Sequence, residues 1–156
     1  MSNESLKDTT VTPVVGGAPA VKPPNKVAVK WDGEHRFDGR RQSGGPSIHI
    51  DASGKTGPGP VDTLLIALAS CTGVDVVDIL AKRRTPVESF DIEVVGDRHN
   101  GIPARLTKIH LVYTIAGAGI QREHAERAIE LAVTKYCSVR DSLDANMPVT
   151  WELVLS

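Results

Sequence analysis

The chain has 156 residues, enough for one domain with a real hydrophobic core and no need of disulfides or a structural metal to fold. Eighteen Lys and Arg against nineteen Asp and Glu leave a formal net charge of −1, which gives no reason to expect a nucleic-acid or anionic-membrane partner. Residues 1–26 hold no apolar run of signal-peptide length, and Leu64–Ala69, the longest uncharged apolar run, is far too short to cross a bilayer, so the expected location is cytoplasmic.

Residues 1–25 are rich in Thr, Pro, Gly, Ser and Asn and read as a flexible N-terminal extension, leaving 26–156 as the domain. From Lys26 the pattern alternates, with Val27, Val29 and Trp31 on one face of a strand. Gly33 turns the chain, Phe37 belongs to a second and weaker strand, and Ile48 and Ile50 mark a third. Asp51 to Pro60 is the loop into the stretch around which everything else is arranged.

That stretch, Gly57–Arg84, predicts a helix that is apolar or small on nearly every side and therefore lies in a core or at a helix contact. Pro60 suits its first turn, Asp62 complements its positive end, Lys82, Arg83 and Arg84 complement the other end, and Pro86 forbids continuation. Two alternating strands follow, around Phe90–Val94 and Ile109–Ile115, paired as an antiparallel hairpin with an overlong loop. In a second helix Ala125, Ala128, Ile129, Ala132, Val133 and Tyr136 recur at helical spacing, with Glu123 and Arg127 spaced as an ion pair. Arg140–Ala145 is a short turn or helix, and Val149–Leu155 a last strand. The order predicts an α+β fold, mostly antiparallel, with helices packed on sheet.

Ser53-Gly54-Lys55-Thr56 has the look of a phosphate loop, but His49 stands where its first glycine belongs, and a solvated turn is the simpler reading. His35, His49, His99, His110 and His124 show no clustered spacing for a metal. The cysteines remain. Free Cys is commonly a small buried hydrophobe, and Cys71 and Cys137 both lie beside apolar helix residues. Yet one sits late in each main helix, so that helices packed face to face would bring the sulfurs together. Such a pair can pass through a sulfenic acid to a disulfide. A reactive thiol also needs a cation to favour its thiolate, the more so because Asp75 and Asp78 share a side with Cys71. Arg36, Arg40, Arg41 and Arg140 are the candidates.

Pro-x-Asp-x-Leu running through a small-residue helix into Cys71, with Cys137 late in a second helix, resembles the OsmC/Ohr family of thiol-dependent hydroperoxide reductases. Cys71-Thr-Gly-Val-Asp-Val-Val-Asp-Ile-Leu and Lys135-Tyr-Cys-Ser-Val resemble its YhfA-like branch in particular. The resemblance spans Lys26 to the C-terminus. It implies an intertwined homodimer in which antiparallel sheets wrap two central helices and the sites lie at the subunit interface. It assigns Cys71 as peroxidatic and Cys137 as resolving cysteine, and places Asp62 where the family has a glutamate holding an arginine over the thiol. Arg36 is the nearest match to that arginine, with Arg40 and Arg41 competing; Ser138 stands where better-known branches have proline. The implied activity is reduction of organic hydroperoxides with no cofactor or metal, the cysteines being restored by an external dithiol, a lipoylated protein in some members. The competing class is a non-catalytic module, either a small-ligand binder or a thiol redox sensor.

Overall fold

A computed structural model describes residues 19–156; residues 1–18, most of the segment read as a flexible extension, lie outside it. Residues 19–25 carry no regular structure and are exposed. Three strands come first: β1 (Val27–Trp31), β2 (Arg36–Arg41) and β3 (Ile48–Asp51), antiparallel in the order β1-β2-β3. The β1–β2 turn passes through Gly33 at φ 83° and Glu34 at φ 48°, a left-handed pair that glycine opens without penalty. Register puts Val27, Val29, Trp31, Phe37 and Ile48 on one face of this sheet, and all five are exposed within the chain.

The long helix α1 (Pro60–Lys82) begins as its sequence signals ask, with Pro at the first position and Asp62 in the first turn. It ends in a Schellman motif: the Thr85 N–H donates to the Leu80 carbonyl at 3.1 Å and the Arg84 N–H to the Ala81 carbonyl at 2.9 Å. Arg84 takes the left-handed position at φ 62°, where glycine is usual. One side of α1 is buried, through Leu68, Thr72, Gly73, Val76 and Leu80. A Cβ on Gly73 would stand 3.1 Å from the Ile92 side chain, so glycine here lets the helix lie close on the sheet. The opposite side, with Ile66, Val74 and Val77, is apolar yet exposed within the chain, where the sequence pattern predicted burial all round.

The second sheet has the order β4 (Ser89–Arg98), β5 (Leu106–Ala116), β6 (Val149–Leu155). The β4–β5 pair is the expected antiparallel hairpin; β6 pairs with β5 in parallel, reached by a helical crossover. Phe90, Ile92 and Val94 face inward beside Leu111, Tyr113 and Ile115, and next to them Trp151, Leu153 and Leu155. With α1 and α2 (Arg122–Leu131) they enclose the core. The ion pair on α2 joins Arg122 to Glu126 at 3.2 Å rather than the expected Glu123 to Arg127, because Arg122 also reaches the Leu153 carbonyl of β6.

Candidate active site

Cys71 lies in the middle of α1, half-buried, and packs against the core cluster. Cys137 is reached differently from the sequence expectation. After α2 the chain winds into a π-helical turn, Ala132–Tyr136, in which the Cys137 N–H donates to the Ala132 carbonyl five residues back at 3.0 Å. Cys137 itself is extended (φ −70°, ψ 105°) and starts the short helix α3 (Ser138–Asp141), its Sγ accepting the Arg140 N–H at 3.3 Å. It is therefore a cap at a helix junction, not a member of the α2 stripe. The residue as a whole is 3% exposed.

The two thiols are neighbours. Burial first, then a hydrogen bond and charge shared with Cys71, push the Cys137 thiol up to about 11, against the pull of the Arg140 and Val139 N–H groups. Beneath them Tyr113, fully buried, donates its hydroxyl to Thr72 Oγ1 at 2.9 Å, and Thr72 donates to the Ala69 carbonyl at 3.0 Å. Burial, with a contribution from the charge of Cys137, pushes Tyr113 up to about 12. The sequence marked Tyr113 only as an inward strand position; a lone hydroxyl on an otherwise aliphatic inward face was the signal available.

Asp62 is spoken for at one oxygen. Its Oδ2 accepts the Gly59 N–H at 2.8 Å, the backward bond of a capping box. Asp62 also lines a cleft of about 380 Å³ along α1, walled by Leu65, Ile66, Ala69 and Ser70 and by Ile92 and Val94 of β4. Arg36 stays on its own hairpin turn, bonded to Glu34 Oε2 at 2.8 Å and to the Asp32 carbonyl at 3.3 and 3.4 Å. Arg40 and Arg41 are exposed on β2. Arg140 lies beside Cys137, with its guanidinium donating to the carbonyls of Asp144 (3.2 Å) and Met147 (3.1 Å). Burial, and then the charge of Asp78, push the Asp75 carboxyl upward from its ordinary value.

The loop that resembled a phosphate site has another centre. Asp51 is buried, and its carboxylate accepts from the Ser53, Lys55 and Thr56 N–H groups and from both hydroxyls, at 2.6–3.2 Å. The N–H groups a phosphate would need already serve a carboxylate of the chain. One grouping was invisible in the sequence: ligand-capable atoms of Asp32, Asp38 and His49 lie within 4.8 Å of one another. The His49 ring is spanned between Asp38 Oδ1 (2.9 Å) and Thr56 Oγ1 (2.8 Å), which gives both nitrogens a partner.

Residues 52–152 match the family described as OsmC-like protein. The chain belongs to that family. Among its OsmC-like relatives is Protein YhfA of Escherichia coli (strain K12), 31% identical over 125 residues that make up 80% of this chain and 93% of that protein. A crystal structure of a hypothetical protein from Aquifex aeolicus VF5 superposes with a TM-score of 0.73 at 27% identity, covering 86% of this chain and 99% of that one. The organic hydroperoxide resistance protein OhrB of Bacillus subtilis shares the fold, with a TM-score of 0.57 at 19% identity over 84% of this chain and 98% of its own. The helix α1 is long and apolar enough to span a membrane, and it packs on β4 and on α2.

Proposed function

We propose that the protein is a cysteine-dependent peroxidase that reduces organic hydroperoxides, with Cys71 as the peroxidatic and Cys137 as the resolving residue. The observation that carries this reading is that Cys71 and Cys137, 66 positions apart in sequence, pack into the same core cluster where α1 meets the α2–α3 junction. In the cycle the Cys71 thiolate attacks the terminal peroxide oxygen, the O–O bond breaks, and an alcohol departs. Cys71 is left as a sulfenic acid. The Cys137 thiol condenses with it, releasing water and forming the disulfide. An external dithiol takes the disulfide back to two thiols. The organic hydroperoxide resistance proteins that share the fold support the substrate class.

The working unit in this reading is a cytoplasmic homodimer. Among the described residues the apolar face of the first sheet lies open and suits cover by a second subunit, while Arg36, which alternates with Phe37 on β2, lies on the other face; its guanidinium is assigned to the partner subunit's Cys71 thiolate by the family motif. Asp62 would hold it there through the carboxylate oxygen not used by Gly59. A non-catalytic sensor or binder is the alternative, and mass spectrometry separates the two. One equivalent of cumene hydroperoxide should remove two protons from the protein within seconds, and added dithiol should give turnover. Slow or absent oxidation would make the protein a binder.

A further inference from the structure

A cavity of about 290 Å³ opens at the α2–α3 junction and is lined by Cys137, with Thr134, Lys135, Arg140 and Asp141 around it. It shares no lining residue with the cleft along α1, which passes Asp62, Ala69 and Ser70. Cys71 lines neither of these two openings, so of the two cysteines it is Cys137 that an opening reaches. We propose that this junction cavity is where the reducing thiol reaches the oxidised protein, that it attacks Sγ of Cys137, and that anionic thiols are preferred. The proposal rests on the Cys71–Cys137 disulfide of the preceding section and adds the side of approach, the sulfur attacked and the charge of the reductant.

Two cations and one carboxylate border the cavity, Lys135 and Arg140 against Asp141, so it favours an incoming thiolate. The Arg140 N–H already points at Cys137 Sγ from 3.3 Å and polarises the atom under attack. The leaving group agrees. Burial pushes the Cys137 thiol up to about 11, which makes it a poor group to expel, so attack at Cys137 with departure of Cys71 is the faster direction. The reductant thiolate forms a bond to Cys137 Sγ, the S–S bond breaks, and its electron pair leaves on Cys71. The second thiolate of the dithiol then attacks the reductant sulfur, closing a cyclic disulfide and releasing Cys137, which takes up a proton. The dithiol loses two electrons and the protein gains them.

The test uses full-length protein whose disulfide is made with diamide, so that it does not depend on reactivity toward peroxide. Excess mercaptoethanesulfonate, an anionic alkyl monothiol, is added, the reaction is acid-quenched on the millisecond scale, and peptides are mapped. The adduct should be on Cys137 with Cys71 free; an adduct on Cys71 overturns the proposal. With Lys135→Glu, reduction by dihydrolipoate, a carboxylate whose 1,3-dithiol closes a five-membered disulfide, should slow about five- to tenfold while reduction by its neutral amide changes less than about twofold. Equal effects on both, or none, would remove charge selection. A disulfide that diamide forms but peroxide does not would sink the peroxidase reading alone, whereas failure of diamide to join Cys71 to Cys137 would sink both.

Discussion

Near neutral pH Cys137, with its proton held up to about 11, is a thiol rather than a thiolate, which suits a residue that waits for a sulfenic acid instead of meeting peroxide first. Cys137→Ser should therefore still consume one equivalent of hydroperoxide and stop at a Cys71 sulfenic acid that dimedone captures, whereas Cys71→Ser should consume none. Blocked first oxidation in Cys137→Ser would reverse the roles. Asp62 can be split into its two tasks because asparagine keeps an oxygen for the Gly59 N–H but loses the charge. Asp62→Asn should melt near the wild type and oxidise more slowly between pH 5 and 9, while Asp62→Ala should lose about 0.3–1 kcal/mol as well. An asparagine variant that reacts at the wild-type rate would leave Asp62 as a helix cap and nothing more. Both cysteines and Asp62 stand as candidates from sequence, through residue type and the family motif. What could not be read was Asp62's bond to its own backbone, or the Tyr113–Thr72 hydrogen bond, since each depends on side chains meeting in three dimensions.

The loop from β3 into α1 depends on Asp51. Hydrogen bonds, chiefly from the Ser53 hydroxyl, hold its carboxyl far below the ordinary range despite the opposing effect of burial. A folded-state value below the unfolded one means that its stabilisation is complete above the unfolded carboxyl's pKa, about 3.9, and is lost progressively as pH falls from there toward the folded value. Urea midpoints of the wild type should accordingly decline below about pH 4 more steeply than those of Asp51→Asn, which should be less stable than the wild type at pH 7. Parallel curves for the two proteins would show that Asp51 is not the group responsible. At the other end of α1, Arg84→Gly relieves a left-handed arginine and should add up to about 1 kcal/mol, a rise of roughly 2–4 °C in melting temperature for a chain this long. Strand and helix existence was legible throughout, because alternation and helical spacing are local. The break at Cys137 was not, because a π turn keeps the apolar residues and changes only which carbonyl each N–H reaches.

The apolar surface left open by a single chain is the strongest statement the whole molecule makes. From its composition α1 should be buried on every side, and it is buried on one; sequence records that a helix face is apolar but not whether its own chain or another covers it. Val74 is 62% exposed on α1, and Trp31, also 62% exposed, sits in the apolar face of the first sheet beside Val27, Val29 and Phe37. Contiguous apolar patches of this kind mark contact surfaces in soluble proteins. A closed two-fold pairing would cover both patches at once, since each subunit brings the same pair of surfaces. That arrangement would lay the partner's first sheet over the exposed side of α1, beside the cleft that passes Asp62. Dimerisation and thiol activation should then fail together. Val74→Glu and, separately, Trp31→Glu should sediment as monomers at micromolar concentration, retain their circular dichroism, and lose hydroperoxide consumption by at least about tenfold, even with both cysteines free to alkylation. A monomer that still turns over would place every activating group within one chain and would remove Arg36, bound as it is to its own turn, from the chemistry.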